Sequence, residues 1–332
     1  MPEYEPTPGA TQPMTLLEVD KLSIAYRTRT ATAAAVDGAS FCLEKGKSVG
    51  IVGESGCGKT TIGMGLMRLL PPNAVVQGGR IGFSGMNLLA LPDDRMQTVR
   101  WKRISMIFQA AMNALNPVHK VGDQIIEAIR THYPEISRSD AAARVEQLYE
   151  MVDIPRSRAF DYPHQYSGGM KQRAIIAMAL SCNPDLIIAD EPTTALDVIV
   201  QDQIIRKIKQ IQHEQNIAVI FISHDIGVVA EVCHDIMVMY RGRIVESGRR
   251  EEVFRTPAHP YTQALLASYL TIDGVVDVDF TQTPPCEYPG EISPEICGYI
   301  ENCPRATDAC RTRKPQWREL SATHKVYCSL CE

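Results

Sequence analysis

Between an apolar run, Ser48 to Val52, and a helical stretch starting at Thr60, the chain reads Gly53-Glu54-Ser55-Gly56-Cys57-Gly58-Lys59-Thr60. Three glycines within six residues let the backbone turn tightly and aim successive N–H groups at one point, to which the following helix adds the positive end of its dipole. The lysine supplies a point charge for terminal phosphates and the threonine a hydroxyl for Mg2+. Such a loop needs a strand on one side and a helix on the other. That requirement restricts the core to an α/β sheet with the loop at the carboxyl edge of its strands.

A second glycine turn, Tyr166-Ser167-Gly168-Gly169-Met170-Lys171-Gln172, also runs into a helix. Ser167 is placed as its N-cap, and the helix is expected to run through Met170 to Leu180. The chain therefore carries two elements suited to phosphate.

Around them the hydrophobic pattern sorts the elements. Leu17, Val19, Leu22, Ile24 and Tyr26 alternate with polar residues, the mark of a half-buried strand in an antiparallel sheet that leads into the core. The helix after the first loop should extend from Thr60 to Leu70, where Pro71-Pro72 ends it. Leu186 to Ala189 and Ile217 to Ile222 are continuous apolar runs, as in strands covered on both faces. Between them, Gln201 to Glu214 sets Ile204, Ile205, Ile208 and Ile211 on one helical face, giving a strand-helix-strand crossover. Ile236 to Tyr240 and Ile244 to Ser247 read as a hairpin across Arg241-Gly242-Arg243. The stretch from about 110 to 180 is helical in character, with a start signal at Ser137 to Asp140.

With 332 residues, 45% hydrophobic and 22% charged, the chain can bury a large core, so wholesale disorder is excluded. A net charge of -5 argues against nucleic acid as the main partner. No apolar run reaches the roughly 18 to 20 residues that cross a bilayer. The first fourteen residues lack a basic start and an apolar core, so they read as a Pro-rich disordered tail rather than a secretory signal, with the chain in the cytoplasm.

The chemistry gathers at strand ends. Leu186 to Ala189 runs into Asp190-Glu191, where the first acid is placed to hold Mg2+ and the second to polarise a water as general base. Ser223-His224-Asp225 closes the next strand on the same edge. A lone histidine at a strand end is usually a satisfied polar residue, but this neighbourhood favours a γ-phosphate sensor. Gln109 follows the apolar run Ile104 to Phe108, within reach of the metal or the water.

In this order the motifs resemble those of the ATP-binding subunit of an ABC transporter, over about Leu16 to Gly248. The resemblance implies a P-loop NTPase with a RecA-like parallel core and an inserted helical subdomain. It implies Tyr26 stacked on adenine, Gly53, Glu54, Ser55, Gly56, Cys57, Gly58, Lys59, Thr60 and Thr61 around the phosphates, and Mg2+ held by Thr60, Gln109 and Asp190. Glu191, His224, Gln109 and Lys59 would be catalytic. Ser167, Gly168 and Gly169, with Asp197 of the D-loop Thr194-Ala195-Leu196-Asp197, would meet the ATP of a second ATPase subunit, more commonly a paralogue than an identical chain. Further partners implied are two membrane permease subunits at the cytoplasmic face of the cell membrane and, indirectly, an extracytoplasmic solute-binding protein. The family's usual signature is LSGGQ. Here Tyr166 replaces the leucine and Met170 the glutamine, while the phosphate-facing Ser167, Gly168 and Gly169 are kept.

His259-Pro260-Tyr261-Thr262 resembles the HPYT segment of oligopeptide and dipeptide importer subunits, and it also has the form of a Pro-started helix docking Tyr261, Leu265 and Leu266. Of ten cysteines, six fall in the last 47 residues. Cys297-x5-Cys303-x6-Cys310-x17-Cys328 resembles the C-terminal extension of the same branch, which can hold a [4Fe-4S] cluster. Structural Zn2+ and unligated thiols are the alternatives, with Cys286 and Cys331 as spare ligands. Cys57 is placed as a packing residue.

The expected organisation is a tail at 1–14, an ATPase domain at 15–250 with a helical subdomain at about 110–180, and an extension at 251–332. A metal centre would be the extension's main fold-holding device, so that losing it loosens the tail while ATP binding persists. The function implied is ATP hydrolysis powering import of dipeptides or oligopeptides. The alternatives are nickel or oligosaccharide import, or a soluble redox-sensing ATPase. A DNA-repair or translation ATPase would carry a long coiled coil or tandem halves, and neither is seen.

Overall fold

The computed structural model describes residues 15–29, 31–109, 114–194, 196–272 and 296–330. The expectations for residues 1–14, Ala195, Cys286 and Cys331 lie outside the described residues. In chain order the first elements are β1 (Thr15–Arg27), β2 (Thr32–Glu44), β3 (Ser48–Val52), α1 (Lys59–Met67), β4 (Ala74–Phe83), β5 (Met86–Asn87), α2 (Asp93–Val99) and β6 (Ile104–Ile107). Then come α3 (Val121–His132), α4 (Arg138–Met151), α5 (Gly168–Ala179), β7 (Leu186–Asp190), α6 (Val198–Gln215), β8 (Ala218–Ser223) and α7 (Ile226–Val232). The last are β9 (Asp235–Tyr240), β10 (Arg243–Arg249), α8 (Arg250–Arg255), α9 (Pro260–Ile272), α10 (Asp308–Thr312), β11 (Gln316–Glu319) and β12 (Lys325–Cys328).

The central sheet has the order β11-β12-β10-β9-β3-β8-β7-β6. Pairing is parallel from β9 to β6 and antiparallel from β9 outward through β10 and β12 to β11. Every residue of β3, β6, β7 and β8 is buried, and the period of two divides them between two cores. Ile187, Ala189, Val219 and Phe221 join the core built with Ile125, Leu148, Tyr149, Ile204 and Ile208 of the helices. Leu186, Ile188, Ile220 and Ile222 join the core shared with Ile62 and Leu66 of α1 and with Leu17, Leu22 and Ile24 of β1. β1 belongs to a separate antiparallel sheet of order β2-β1-β4-β5. The chain thus has the α/β P-loop architecture, with the parallel strands clamped between helices and a second sheet.

Two helix boundaries differ from the expectation. α1 stops at Met67, well before Pro71, because Arg68 turns left-handed (φ 51°) and caps the helix with its own N–H. The Arg68 guanidinium holds it there by an ion pair to Asp93 at 2.7 Å. α6 begins at Val198 rather than Gln201, since Asp197 accepts from the Val200 N–H at 3.0 Å and nucleates the first turn earlier.

The C-terminal extension has anchors other than its cysteines. β12 adds to the central sheet through Glu246 opposite Val326 and Ser247 opposite Lys325. The fully buried Glu246 carboxylate accepts from the Ala258 and His259 N–H groups, each at 2.8 Å, and pairs with His324 Nε2 at 2.7 Å. A buried charge with three partners is tolerable, and removing any one leaves it under-solvated. Glu252 accepts the Ser321 and Thr323 hydroxyls at 2.6 and 2.8 Å. The expectation that a metal centre is the main fold-holding device is therefore revised: sheet pairing and two carboxylates share that task.

Candidate nucleotide site

β3 delivers the chain to the loop Gly53–Thr60, which lies against the β9-β10 turn. Glycine is obligatory at two points of close approach. A Cβ on Gly58, where φ is +105°, would lie 2.1 Å from the Ala35 carbonyl oxygen, and one on Gly53 would lie 2.1 Å from that of Met239. Lys59 is buried, and its Nζ donates to the Gly53 and Glu54 carbonyls, each at 2.7 Å, so the lysine braces its own loop. Cys57 is buried with its thiol pKa raised by burial, in keeping with a packing residue.

β7 brings the acids to the same edge. The Thr60 hydroxyl donates to Asp190 Oδ1 at 3.0 Å. Burial pushes the Asp190 carboxyl up to about 6, against the Thr60 hydrogen bond, which favours the carboxylate. A cation beside it would reverse that shift. Glu191 sits at a left-handed φ of 46°, held by its N–H to the Ile222 carbonyl at 2.8 Å. This strained turn swings its side chain out of the strand direction. Its Oε2 accepts from Gln109 Nε2 at 2.8 Å and from the Thr194 hydroxyl at 2.9 Å, and its Oε1 lies 3.1 Å from His224 Nδ1. The Glu191 side chain is 12% exposed and that of His224 62%, so the acid is enclosed and the histidine faces solvent.

A cavity of about 380 Å3 lies between the loop, Gln109 and Glu191. Tyr26, Ala33, Ala34 and Ala35 line one side, with Ser55, Gly56, Gly58, Lys59, Thr60, Thr61, Gln109 and Glu191 completing it. The Tyr26 hydroxyl lies 3.2 Å from Thr61 Oγ1, which fixes the ring at the cavity's rim. A larger groove of about 1050 Å3, lined by Lys47, Arg206, Lys209, His234 and Arg250 among others, lies at the opposite, amino-terminal edge of the strands and contains none of these motif residues.

Ser167, Gly168 and Gly169 do not line the cavity of their own chain. The exposed Ser167 caps α5 through the Met170 N–H at 3.3 Å. Tyr166, in the place of the family's leucine, is buried with its hydroxyl 2.9 Å from that of Tyr149 and donating to the Arg158 carbonyl at 2.7 Å. Its extra polar atom is thus satisfied inside the helical layer.

Among the described residues Cys297, Cys303, Cys310 and Cys328 form no disulfide. Burial pushes the Cys297 thiol up to about 11, and the Cys328, Cys303 and Cys310 sulfurs add to the rise. The sulfur of Cys297 accepts from the Tyr299 N–H, that of Cys303 from the Arg305 N–H, and that of Cys328 from the Leu330 N–H at 3.4 Å. Among the described residues no three His, Cys, Asp or Glu are grouped so as to hold a metal ion.

The chain matches the ABC transporter family over residues 36–194 and the oligopeptide/dipeptide transporter C-terminal region over residues 245–310. It is 44% identical to the probable peptide ABC transporter ATP-binding protein of Sinorhizobium fredii, covering 94% of each chain. The chain belongs to the ABC transporter ATP-binding proteins of the oligopeptide/dipeptide type. It is also 41% identical to the dipeptide transport ATP-binding protein of Escherichia coli, over 95% of this chain and 96% of that one. Among solved structures it is similar to a dimeric ATP-binding cassette in a post-hydrolysis state bound to ADP and Pi, with a TM-score of 0.64 and 25% identity over 71% of this chain and 99% of that chain. Among the described residues no helix is long and apolar enough to cross a membrane.

Two groups at this ABC site escaped the sequence reading. Thr194 figured only as part of a motif, yet its hydroxyl binds Glu191; a hydroxyl three residues after an acid in a turn is the signal that could have found it. Tyr261 figured as an apolar anchor, yet its hydroxyl accepts the Glu54 N–H at 3.0 Å. Nothing local marks that contact, since the two residues are 207 apart in sequence.

Proposed function

We propose that this chain hydrolyses ATP to drive import of dipeptides or oligopeptides through a membrane permease made by other chains, working from the cytoplasmic face. The observation that carries the reading is Glu191, held by Gln109 and Thr194 and facing His224, beside a loop that the Thr60–Asp190 hydrogen bond joins to β7. The peptide cargo rests on the named relatives and on the matched C-terminal region.

In this reading the N–H groups of Ser55 to Thr61 and the Lys59 ammonium take the phosphates, with Lys59 exchanging its loop carbonyls for phosphate oxygens. Tyr26 stacks on the base. Thr60, Asp190 and Gln109 fit a magnesium ion by chemistry, all being oxygen donors on one edge. Bound there, Mg2+ would neutralise charge on the terminal phosphates. Glu191 orients and deprotonates the attacking water, with Gln109 and Thr194 fixing its carboxylate and His224 reaching from solvent to the terminal phosphate.

Ser167, Gly168 and Gly169 stand away from their own cavity, which suits a head-to-tail pair in which each signature closes the partner's site. Asp197 is committed to capping α6 and sets the start of that helix beside Gly169, whose Cβ would lie 2.7 Å from Val200. Purifying the chain with its permease and second ATPase, and measuring peptide-dependent phosphate release, tests the reading. Phosphate release that ignores peptide and permease would overturn the import assignment.

We further propose that Cys297, Cys303, Cys310 and Cys328 bind one thiolate-ligated centre, a [4Fe-4S] cluster in preference to zinc. The donor chemistry fits, since backbone N–H groups reach three of the four sulfurs and would steady their thiolates. Iron and acid-labile sulfide in anaerobically purified protein, lost in Cys303→Ser, would support the cluster. Stoichiometric zinc instead would exclude it.

A further inference from the structure

We propose that the Tyr261 hydroxyl is a positioning group for the phosphate-binding loop, and that the cysteine-bearing segment holds it in place through Tyr299. The inference rests on the reading of Gly53–Thr60 as the ATP-binding loop. It departs from the expectation that the extension can loosen without effect on ATP binding.

Glu54 is the second residue of the loop, and its N–H donates to Tyr261 Oη at 3.0 Å. Tyr261 itself is fixed from both ends. Its backbone N–H donates to His259 Nδ1 at 3.1 Å in the first turn of α9, and its ring is 2% exposed. The ring packs between Tyr240 of β9, at a centroid distance of 4.5 Å, and Tyr299, at 5.4 Å, while Tyr240 and Tyr299 meet edge-on at 5.2 Å. Three mutually packed rings with two rotatable bonds each form a rigid support at low entropic cost.

Tyr299 lies between Cys297 and Cys303, so the third ring belongs to the thiol-bearing segment. A second contact runs in parallel. Gly298 rests against Tyr240 and Arg241 and accepts from Arg241 Nη1 at 3.4 Å, and the adjoining Gly242 N–H donates to the Cys57 carbonyl in the loop at 2.9 Å.

The consequence is specific. A phosphate-binding loop works by holding several N–H groups in one converging arrangement, so freedom at its second residue broadens that arrangement and weakens ATP binding. The Tyr261 hydroxyl contacts the loop backbone, and Tyr261 does not line the cavity. Its loss should therefore raise KM for ATP and leave kcat nearly unchanged.

The test uses the full chain for nucleotide titration with a fluorescent ATP analogue and Mg2+, and the permease complex for turnover. Tyr261→Phe, which keeps the ring, should raise Kd and KM for ATP roughly five- to tenfold, the effect of one lost hydrogen bond, with kcat within about twofold. Amide exchange at Glu54 should speed up in the same variant, a change that general destabilisation would spread over the whole loop and sheet. Tyr299→Leu should weaken ATP binding in the wild-type background and add little in the Tyr261→Phe background, whereas Tyr299→Phe should bind as wild type. Tyr133→Phe, which loses a distant hydroxyl contact to the Cys182 carbonyl at 3.5 Å, should also bind as wild type. Wild-type affinity and Glu54 exchange in a folded Tyr261→Phe would overturn the positioning role. Multiplying, independent effects of Tyr261→Phe and Tyr299→Leu would overturn the link to the cysteine segment. Failure of the unaltered chain to bind the nucleotide would instead sink the ATP-loop reading itself.

Discussion

Gln109 Nε2 donates to Glu191 Oε2 at 2.8 Å, joining the end of β6 to the end of β7 across neighbouring parallel strands. The other carboxylate oxygen, Oε1, lies 3.1 Å from His224 Nδ1. Both partners lie on loops that follow rigid strands, so a small shift in either strand end moves the proposed base.

Glu191→Gln keeps the size and the hydrogen-bonding edge of the side chain and removes its basicity. Phosphate release should fall by about 100-fold or more, while ATP is retained and a closed pair of ATPase subunits accumulates. Size-exclusion chromatography with ATP and Mg2+, beside a phosphate assay, reads both. Undiminished turnover would remove Glu191 from the role of base.

Thr194→Val removes the Thr194 hydroxyl contact to Glu191 with little change in volume. The carboxylate should then sample more orientations, lowering kcat by roughly tenfold, the worth of about 1.4 kcal/mol, with KM for ATP unchanged. A rise in KM alone would place Thr194 on the binding side of the site.

Gly58→Ala puts a methyl group on a backbone at φ +105°, facing the Ala35 carbonyl oxygen at 2.1 Å. The backbone cannot yield as a flexible side chain would, so stability should drop by on the order of 2 kcal/mol and ATP affinity by at least tenfold. Urea unfolding and nucleotide titration check the two parts. Normal affinity would mean that the loop has another low-energy path.

His259 makes stability depend on pH. It is buried, its Nδ1 accepts from the Tyr261 N–H, and its Nε2 has no partner among the described residues. Burial lowers its pKa from 6.5 to about 4. The unfolded chain therefore binds more protons between these values, so the stabilisation is full above about pH 6.5 and is lost as pH falls through 4. The span corresponds to on the order of 3 kcal/mol. His259→Asn, whose Oδ1 can replace Nδ1 as acceptor, should flatten the change in unfolding free energy between pH 7 and pH 5. An unchanged slope would assign it to other groups.

The sequence by itself determined the glycine loop between β3 and α1, the parallel strands beside it, the acids at the carboxyl end of β7 and the Ser167 cap. Each of these is local, because glycine spacing, a period of two or 3.6 and a capping hydroxyl act over a few residues. Tertiary structure decided what those edges share. Gln109 and His224 meet on Glu191 only because β6, β7 and β8 lie side by side in register. The strands β11 and β12 escaped notice since four residues each are too few for a periodic signal. The Glu54–Tyr261 bond escaped it since the distance between the two along the chain is closed only by the packing of β9, α9 and the cysteine-bearing segment around three tyrosine rings. Hydrogen bonds of that kind are selected by topology, and topology is a property of the whole chain.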